Sequence, residues 1–244
     1  MMTLKKFFRF SKFTVFFSLV MLTILLVSCA SNYWKEYYRN HMELYFPSVQ
    51  EGTDYKSSTF SSAKLSNNGL AFLPISTEKD VDVYKQMIGK KFNRKADSTF
   101  SNFMNLKNVN EILKKEELVL RFSNEIESYN EVGVLRPSFL RKLANLTDKE
   151  YFLFVKLEPY FSEKELDDIQ NYLENYNSTK DIDISSIKEL GASAIIWGAT
   201  EGTVVWEGYS KMYLFEEEYE DNRQAKSILT EKITKSLIKN ISAR

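Results

Sequence analysis

The chain has 244 residues, with 33 basic side chains, 33 acidic side chains, one histidine and one cysteine. Four of the basic and none of the acidic side chains lie in residues 1–28, so the other 216 residues carry 29 basic and 33 acidic side chains. This acidic excess argues against a nucleic-acid-binding surface. The single cysteine excludes a disulfide framework and a site built from several thiolates.

The amino-terminal segment has the composition of an export signal. Basic residues lie within residues 1–12, an apolar run covers residues 13–27, and the small residue Ser28 precedes Cys29. The alternative is a membrane-spanning helix that ends in a buried cysteine. Such a helix needs about 20 apolar residues, whereas this run has 15, which favours the signal peptide.

The tetrapeptide Leu26-Val27-Ser28-Cys29 resembles the lipobox of bacterial lipoproteins. The resemblance implies that residues 1–28 are a cleaved signal peptide and that the Cys29 thiol carries a diacylglycerol. It also implies an N-acyl chain such as palmitate on Cys29, attachment to the membrane through these lipids, and no other cofactor. In enterobacterial-type sorting an aspartate after the cysteine retains a lipoprotein at the inner membrane. Ala30 stands there in this chain, so the resemblance favours the outer membrane of the cell envelope.

Residues 29–68 are predicted to be a polar, aromatic tether in front of the domain. The Ser, Asn and Gly composition of residues 57–69 is typical of a loop. The aromatic residues before it either rest at the membrane interface or form one face of a helix that packs on the domain, which their spacing favours. These aromatic residues are Tyr33, Trp34, Tyr37, Tyr38, Tyr45 and Phe46.

Residues 69–148 are predicted to form one buried strand, one weak strand and four helices. The buried strand is a short apolar run in which Pro74 ends the hydrogen-bond ladder. The predicted elements are a strand at 70–75, a helix from Thr77, a weak strand at 99–104, a helix capped by Asn108, a helix from Glu116 to about Gly133, and a helix opened by Pro137.

The second half of the chain is predicted to contain the centre of the sheet. Residues 151–157 are apolar on both faces for most of their length, which is typical of an interior strand. Residues 187–197 and 203–209 are β-rich and flank a short loop in which Gly202 can take positive φ. We therefore expect a hairpin.

Two further helices complete the predicted order. A capping box begins at Ser162 and predicts an exposed helix to residue 176, and an apolar stripe predicts a last helix over residues 221–242. Strands that alternate with helices and end in a hairpin predict an α/β (α+β) fold. We expect a single compact domain over residues 69–244, with helices packed on a mixed sheet of about four to five strands.

Two stretches resemble a group of uncharacterised bacterial envelope lipoproteins. One is YNEVGVLRPSFLRKL at 129–143, which leads to the predicted interior strand. The other is IWGATEGTVVWEG at 196–208, similar to a hairpin in those proteins with an Asp-x-x-Thr-Gly-type turn. Here Gly198 stands where Asp is usual, and Glu201 separates Thr200 from the glycine.

The predicted architecture is also distantly similar to the α/β domains of the TolB amino terminus, the penicillin-binding-protein activator lipoproteins and the curli-secretion lipoprotein. These resemblances imply a fold and an envelope location. They lend no catalytic residues to this chain, because the shared motifs are structural.

Few residues are arranged for catalysis. The single histidine, His41, lies in the predicted tether, so a triad or dyad would have no histidine in the domain, and no residue set has zinc spacing.

The acidic run 216–221 either binds a cation such as calcium or is solvated, as like-charge runs usually are. The carboxylates at 163–168 fit a helix start better than an acid–base pair. For Trp197 and Trp206 a core or cross-strand pair is favoured over a ligand platform.

Three functions remain compatible with the sequence. The favoured one is a non-enzymatic lipoprotein, anchored at Cys29, whose domain binds another envelope component: an envelope protein, an assembly or the peptidoglycan machinery. The second is a subunit of a multimeric export or transport assembly. The third is a hydrolase or transferase that works through carboxylates or serine alone, which the position of the histidine disfavours.

Overall fold

A mixed sheet of seven strands forms the centre of the domain. The structure is a computed structural model that describes residues 47–132, 135–176 and 186–243. The strands are β1 (Val49–Lys56), β2 (Leu70–Phe72), β3 (Ser76–Thr77), β4 (Phe103–Met104), β5 (Tyr151–Glu158), β6 (Ile187–Gly198) and β7 (Thr203–Phe215). The helices are α1 (Ser62–Asn68), α2 (Lys85–Asp97), α3 (Leu106–Lys115), α4 (Val119–Val132), α5 (Pro137–Thr147), α6 (Glu163–Tyr176) and α7 (Asn222–Ser242).

The strand order is β1-β7-β6-β5-β2-β4, and β3 pairs with β5 beyond the end of β2. Strands β2, β3, β4 and β5 pair in parallel, whereas β5, β6, β7 and β1 pair antiparallel. The predicted α/β fold with a mixed sheet, an interior strand at β5 and a carboxyl-terminal hairpin is confirmed. The sheet has seven strands rather than the four to five expected, because three short or polar strands carry little sequence signal.

The chain joins the sheet earlier than the sequence predicts. Residues 49–56, predicted as part of the tether, form β1 and pair with β7 from Val49 opposite Met212 to Lys56 opposite Trp206. Residues 62–68, predicted as loop, form α1, and the Ser61 side chain accepts a hydrogen bond from the Lys64 N–H. As an edge strand, β1 is mostly exposed and polar, so it lacks the apolar alternation that marks a strand. Residues 29–46 of the tether lie outside the described residues.

Helices cover both faces of the sheet and enclose two cores. On the first face, α1, α2 and α7 pack on the sheet through residues such as Leu65, Phe92 and Leu237. On the second face, α3, α4 and α5 pack through a separate set that includes Leu113 and Leu140. Residues 48–169 and 184–244 make up the compact unit that contains this sheet.

The β6–β7 hairpin places its two tryptophans on opposite faces of the sheet. Trp206 is buried in the first core and Trp197 in the second, so their assignment to the core is confirmed and stacking across the hairpin is wrong. The cause is a register shift between Ile196 and Trp197, which leaves Val205 as an extra residue on β7. Such a bulge reverses the side on which the following side chains lie.

Helix ends follow local hydrogen bonding. The Ser162 hydroxyl accepts from the Glu165 N–H at 3.3 Å, and the Glu165 carboxylate accepts from the Ser162 N–H at 2.7 Å. This capping box is as predicted. The predicted Asn108 cap is wrong, because Asn105 caps α3 and its side chain accepts from the Asn108 N–H at 2.9 Å. The predicted helix end at Gly133 lies outside the described residues.

Within the described ranges, 47–132, 135–176 and 186–243, none of the helices combines the length and apolar character needed to span a bilayer.

We expect two glycine substitutions to shift stability in opposite directions. Gly202 has a φ of +67°, and a Cβ there would lie 2.7 Å from the Cβ of Pro137, so Gly202→Ala should lower the free energy of unfolding by about 1–3 kcal/mol. Gly89 lies inside α2, and a Cβ there would meet its nearest neighbours at 3.4 Å. Gly89→Ala should therefore raise the free energy of unfolding by about 0.5–1 kcal/mol. Urea unfolding checks both, and a stabilised Gly202→Ala protein would contradict the turn geometry.

Candidate functional site

The sequence-predicted site lies outside the part of the chain that the structure describes. This applies to Leu26, Val27, Ser28 and Cys29, and also to His41. The described domain instead carries two surface clefts at opposite ends of its parallel strands. Both are built from residues that the sequence did not mark as functional.

The larger cleft, called here the carboxyl-end cleft, has a volume of about 430 Å³ and lies beyond the carboxyl end of β2. Its floor is apolar and buried, and α4 forms one wall. Ligands in open α/β sheets often bind outside the carboxyl ends of strands whose connections leave toward opposite faces. Here the connection after β2 leads to α2 on the first face of the sheet, and the connection after β4 leads to α3 on the second face. The floor residues are Ile75, Phe122, Ile126 and Phe154.

The cleft opens at a local irregularity in the sheet. Phe72 pairs with Leu153 and Ser76 pairs with Lys156, so four steps along β2 and β3 match three steps along β5. Pro74 lies in this extra stretch, where it interrupts the ladder because it has no N–H. The predicted end of the strand at Pro74 is therefore confirmed, but the chain resumes pairing as β3.

The rim of the carboxyl-end cleft is polar and carries opposite charges. Lys85 and Glu127 line it and are exposed, and neither forms an ion pair with another residue in the described ranges. Two of the three hydroxyls that line the cleft serve local structure: Thr77 donates to Asp82 at 2.8 Å and Ser123 donates to the Val119 carbonyl at 3.2 Å. Among the residues that the structure describes, Lys85 and Glu127 thus place one cation and one anion without an ion-pair partner beside the apolar floor.

Apolar side chains are exposed on the helix that walls this cleft. In the first turn of α4, Val119 is 50% and Leu120 is 73% exposed. Single exposed apolar residues are common, but these two are adjacent and belong to the same helix that forms a wall of the cleft. The sequence prediction of this helix rested on the apolar stripe Leu118, Phe122, Ile126 and Tyr129, and it assigned no role to Val119 or Leu120.

The second cleft, called here the amide cleft, has a volume of about 410 Å³ and lies at the amino ends of β2, β4 and β5. Its polar side chains bond mainly to each other. Lys149 donates to Asn102 at 2.6 Å, Asn102 donates to the Asn67 carbonyl at 3.3 Å, and Asn68 donates to Glu150 at 2.5 Å. These bonds tie together the segments that precede three strands, which is a structural role.

A buried ion pair joins α4 to α5. Glu125 has a side chain that is 1% exposed, and its Oε1 lies 2.9 Å from Nε of Arg136 and 3.8 Å from Nε of Arg121. The Arg136 N–H also donates to Oε2 at 3.4 Å. A buried carboxylate is tolerated only when it is paired in this way. Glu125 therefore holds the wall of the carboxyl-end cleft in place, and the Arg-x-x-x-Glu spacing on α4 was its one sequence signal.

Glu207 lies on β7, on the second face of the sheet, where its surroundings disfavour the charged form of its side chain. Burial, together with the nearby Asp54 carboxylate, raises the pKa of Glu207 above its usual 4.5. Burial also raises the pKa of Tyr129 to about 12, and the charge of Glu207 adds to this effect. The Tyr129 ring packs edge-on against Trp197, with ring centroids 5.1 Å apart.

Two of the carboxylates considered as catalytic or cation-binding from the sequence, Glu165 and Glu216, have structural partners. Hydrogen bonds from the Ser162 N–H and hydroxyl hold the pKa of Glu165 below its usual value. In the acidic run, Glu216 starts a short 3-10 turn and lies 2.7 Å from the Lys188 ammonium. Among the described residues, no three His, Cys, Asp or Glu side chains form a group that could hold a metal ion.

Comparisons with known proteins give fold-level likeness alone. No family model matches the chain, and no curated protein matches it. Among solved structures, the PelC dodecamer from Paraburkholderia phytofirmans has 9% sequence identity and a TM-score of 0.45, over 80% of this chain and 97% of the PelC chain. Lipoprotein GNA1162 from Neisseria meningitidis has 12% identity and a TM-score of 0.42, over 69% of this chain and 96% of that one. At these levels the likeness carries no function to this chain.

We expect Glu207→Gln to stabilise the protein at neutral pH. Between 4.5 and its raised folded-state pKa, Glu207 holds its proton more tightly in the folded state, so its ionisation costs stability as the pH rises through that window. The amide cannot ionise and should remove this cost. Chemical unfolding at pH 4 and pH 7 should show a gain at pH 7 that is smaller at pH 4.

The exposed Glu127 provides the control for this prediction, since Glu127→Gln should leave the difference between the two pH values unchanged. An equal effect of Glu207→Gln at both pH values would contradict the proposed electrostatic cost.

Proposed function

We propose that the protein is a lipid-anchored, non-enzymatic component of the bacterial cell envelope that binds another envelope protein. The observation that carries the anchor is the sequence Leu26-Val27-Ser28-Cys29 after a basic and then apolar segment. In this proposal residues 1–28 are removed, Cys29 carries the diacylglycerol and N-acyl chains, and Ala30 directs the protein to the outer membrane.

The carboxyl-end cleft is the proposed binding surface for the partner protein. Its apolar floor, the exposed Val119 and Leu120 beside it, and the opposite charges of Lys85 and Glu127 suit an apolar side chain flanked by polar residues. A protein partner is favoured over a small molecule because the exposed apolar residues lie outside the cleft itself. A ligand of about 430 Å³ would leave them uncovered.

The chemistry of the rim supports binding rather than catalysis. The hydroxyls of Thr77 and Ser123 are held by Asp82 and by the Val119 carbonyl, at 2.8 and 3.2 Å. A nucleophilic hydroxyl needs an adjacent base that can take up its proton. A main-chain carbonyl cannot serve as that base, so the Ser123 hydroxyl is not arranged as a nucleophile.

Metabolic labelling with a clickable fatty acid tests the anchor. The parent protein should become labelled, and Cys29→Ala should lose the label, because the thiol is the attachment point. A matched change that keeps the thiol, Ser28→Ala, should retain it. Equal labelling of the parent and Cys29→Ala proteins would contradict lipidation.

Site-specific photocrosslinking tests the partner surface. A photoreactive residue at Ser123, in the cleft wall, should give a discrete crosslinked protein band in cells. Leu120→Glu should reduce this band at least several-fold, because a charge would be desolvated in the interface. Val49→Glu changes another exposed apolar residue, on β1, and should leave the band unchanged. Equal loss from both variants would point to a general defect and contradict the assigned surface.

A further inference from the structure

The ionisable residues of this protein are distributed very unevenly between its elements. Helices α2 and α7 together carry ten basic and two acidic side chains. The rest of the chain after residue 28 carries 19 basic and 31 acidic side chains. The chain after residue 28 has an acidic excess, yet these two helices together carry a net charge of +8. The positive charge is therefore concentrated locally, which the total charge does not reveal.

The two helices form one surface. They lie side by side on the first face of the sheet, and Glu231 of α7 bridges them. Its carboxylate lies 3.4 Å from the Lys91 ammonium, 3.4 Å from the Arg94 guanidinium and 3.2 Å from the Lys235 ammonium. Lys91 also donates to the Ser227 carbonyl at 2.6 Å. One carboxylate therefore holds three cations together and leaves an excess of positive charge at the helix junction.

Most cations of this surface are exposed to solvent, whereas the Lys91 side chain is 16% exposed and lies at the helix junction. The apolar side chains of the same helices, such as Phe92 and Leu237, are fully buried. In contrast, the side chains of Arg94, Lys235 and Lys239 are 76%, 61% and 76% exposed. We call this surface the basic face. Its members are Lys90, Lys91, Arg94 and Lys95 of α2 and Lys232, Lys235 and Lys239 of α7.

We propose that the basic face is a docking surface for a bilayer that contains anionic phospholipid. This inference rests on the proposed anchor at Cys29 and adds an orientation to it. Seventeen residues lie between Cys29 and Pro47, and the eighteen steps of chain that join them span at most about 65 Å. An acylated Cys29 would hold the domain within that distance of lipid head groups, and a basic surface then acts as the second attachment signal.

The composition of the basic face favours lipid over nucleic acid or an acidic protein. Six of its seven cations are lysines, and lysine acts as a point charge, whereas arginine predominates where phosphate or carboxylate is bound in a fixed bidentate geometry. The face also lacks an exposed aromatic or large aliphatic side chain in the described ranges of α2 and α7. Protein interfaces are usually centred on such residues, whereas docking on head groups requires charge alone.

A distance measurement on the lipid-bearing full-length mature protein tests this orientation. Cys29 is the chain's single cysteine, and its sulfur is taken up by the lipid, so an introduced thiol provides one defined labelling site. Ser98→Cys places a donor dye at the end of α2, and Asn124→Cys places one on α4, on the opposite face of the sheet. Acceptor-labelled lipid then reports energy transfer in vesicles of phosphatidylcholine with or without phosphatidylglycerol.

We expect phosphatidylglycerol to increase transfer from the Ser98→Cys dye relative to the Asn124→Cys dye, and high salt to abolish the increase. Each surface cation contributes roughly fivefold to the preference for the membrane-facing orientation. The triple variant Lys232→Gln, Lys235→Gln, Lys239→Gln should therefore lower that preference more than tenfold. The matched triple variant Lys107→Gln, Lys114→Gln, Lys115→Gln, on α3 of the opposite face, should not lower it.

The outcomes separate this inference from the proposed function. A protein that does not stay bound to any of the vesicles has no anchor, and the proposed function then fails. A protein that stays on the vesicles but shows equal transfer from both dyes, whatever the lipid charge, overturns the docking surface and leaves the anchor intact. An equal loss from both triple variants also overturns it, because total charge and not the basic face would then be responsible.

Discussion

The pairing of strand β5 with three other strands is the constraint on which the rest of the domain depends. It pairs antiparallel with β6 over eight residues on one side and parallel with β2 and β3 on the other. Its alternating side chains also supply both cores, with Leu153 and Val155 in the first and Phe152 and Phe154 in the second. A one-residue slip of β5 would exchange these two sets. Its register therefore fixes the position of both helix layers at once.

The two faces of the sheet serve different purposes because different helices cover them. On the second face, Glu125 holds α4 against Arg136 at 2.9 Å, and the irregularity at Pro74 leaves a cleft beside that helix. On the first face, α2 and α7 pack tightly through apolar residues and carry charge outward. The cleft beside α4 and the concentrated positive charge of α2 and α7 therefore lie on opposite faces of the sheet. Functional sites are commonly found where a sequence departs from its own regular pattern.

The sequence predicted the elements that carry a strong periodic or capping signal. The strand β5, the β6–β7 hairpin with Gly202, the Ser162 capping box and the last helix all follow from local residues. Strand β1 was missed because it is a polar edge strand, paired with β7 through residues more than 150 positions away, and no local pattern reports such a contact. The carboxyl-end cleft was missed for a related reason. It depends on a mismatch between β3 and β5, which exists only once the two strands are paired.

The position of β1 also determines the order in which the domain can be completed. When the chain emerges amino terminus first, Val49 emerges long before its partner Met212. Strand β1, the outermost strand of the sheet, therefore stays unpaired until the β6–β7 hairpin has emerged. Contacts between such distant residues form slowly. An unpaired strand is an aggregation hazard during that interval, and charged residues reduce this hazard. Glu51, Asp54 and Lys56 place charges of both signs on this edge strand, where charge opposes pairing with another chain.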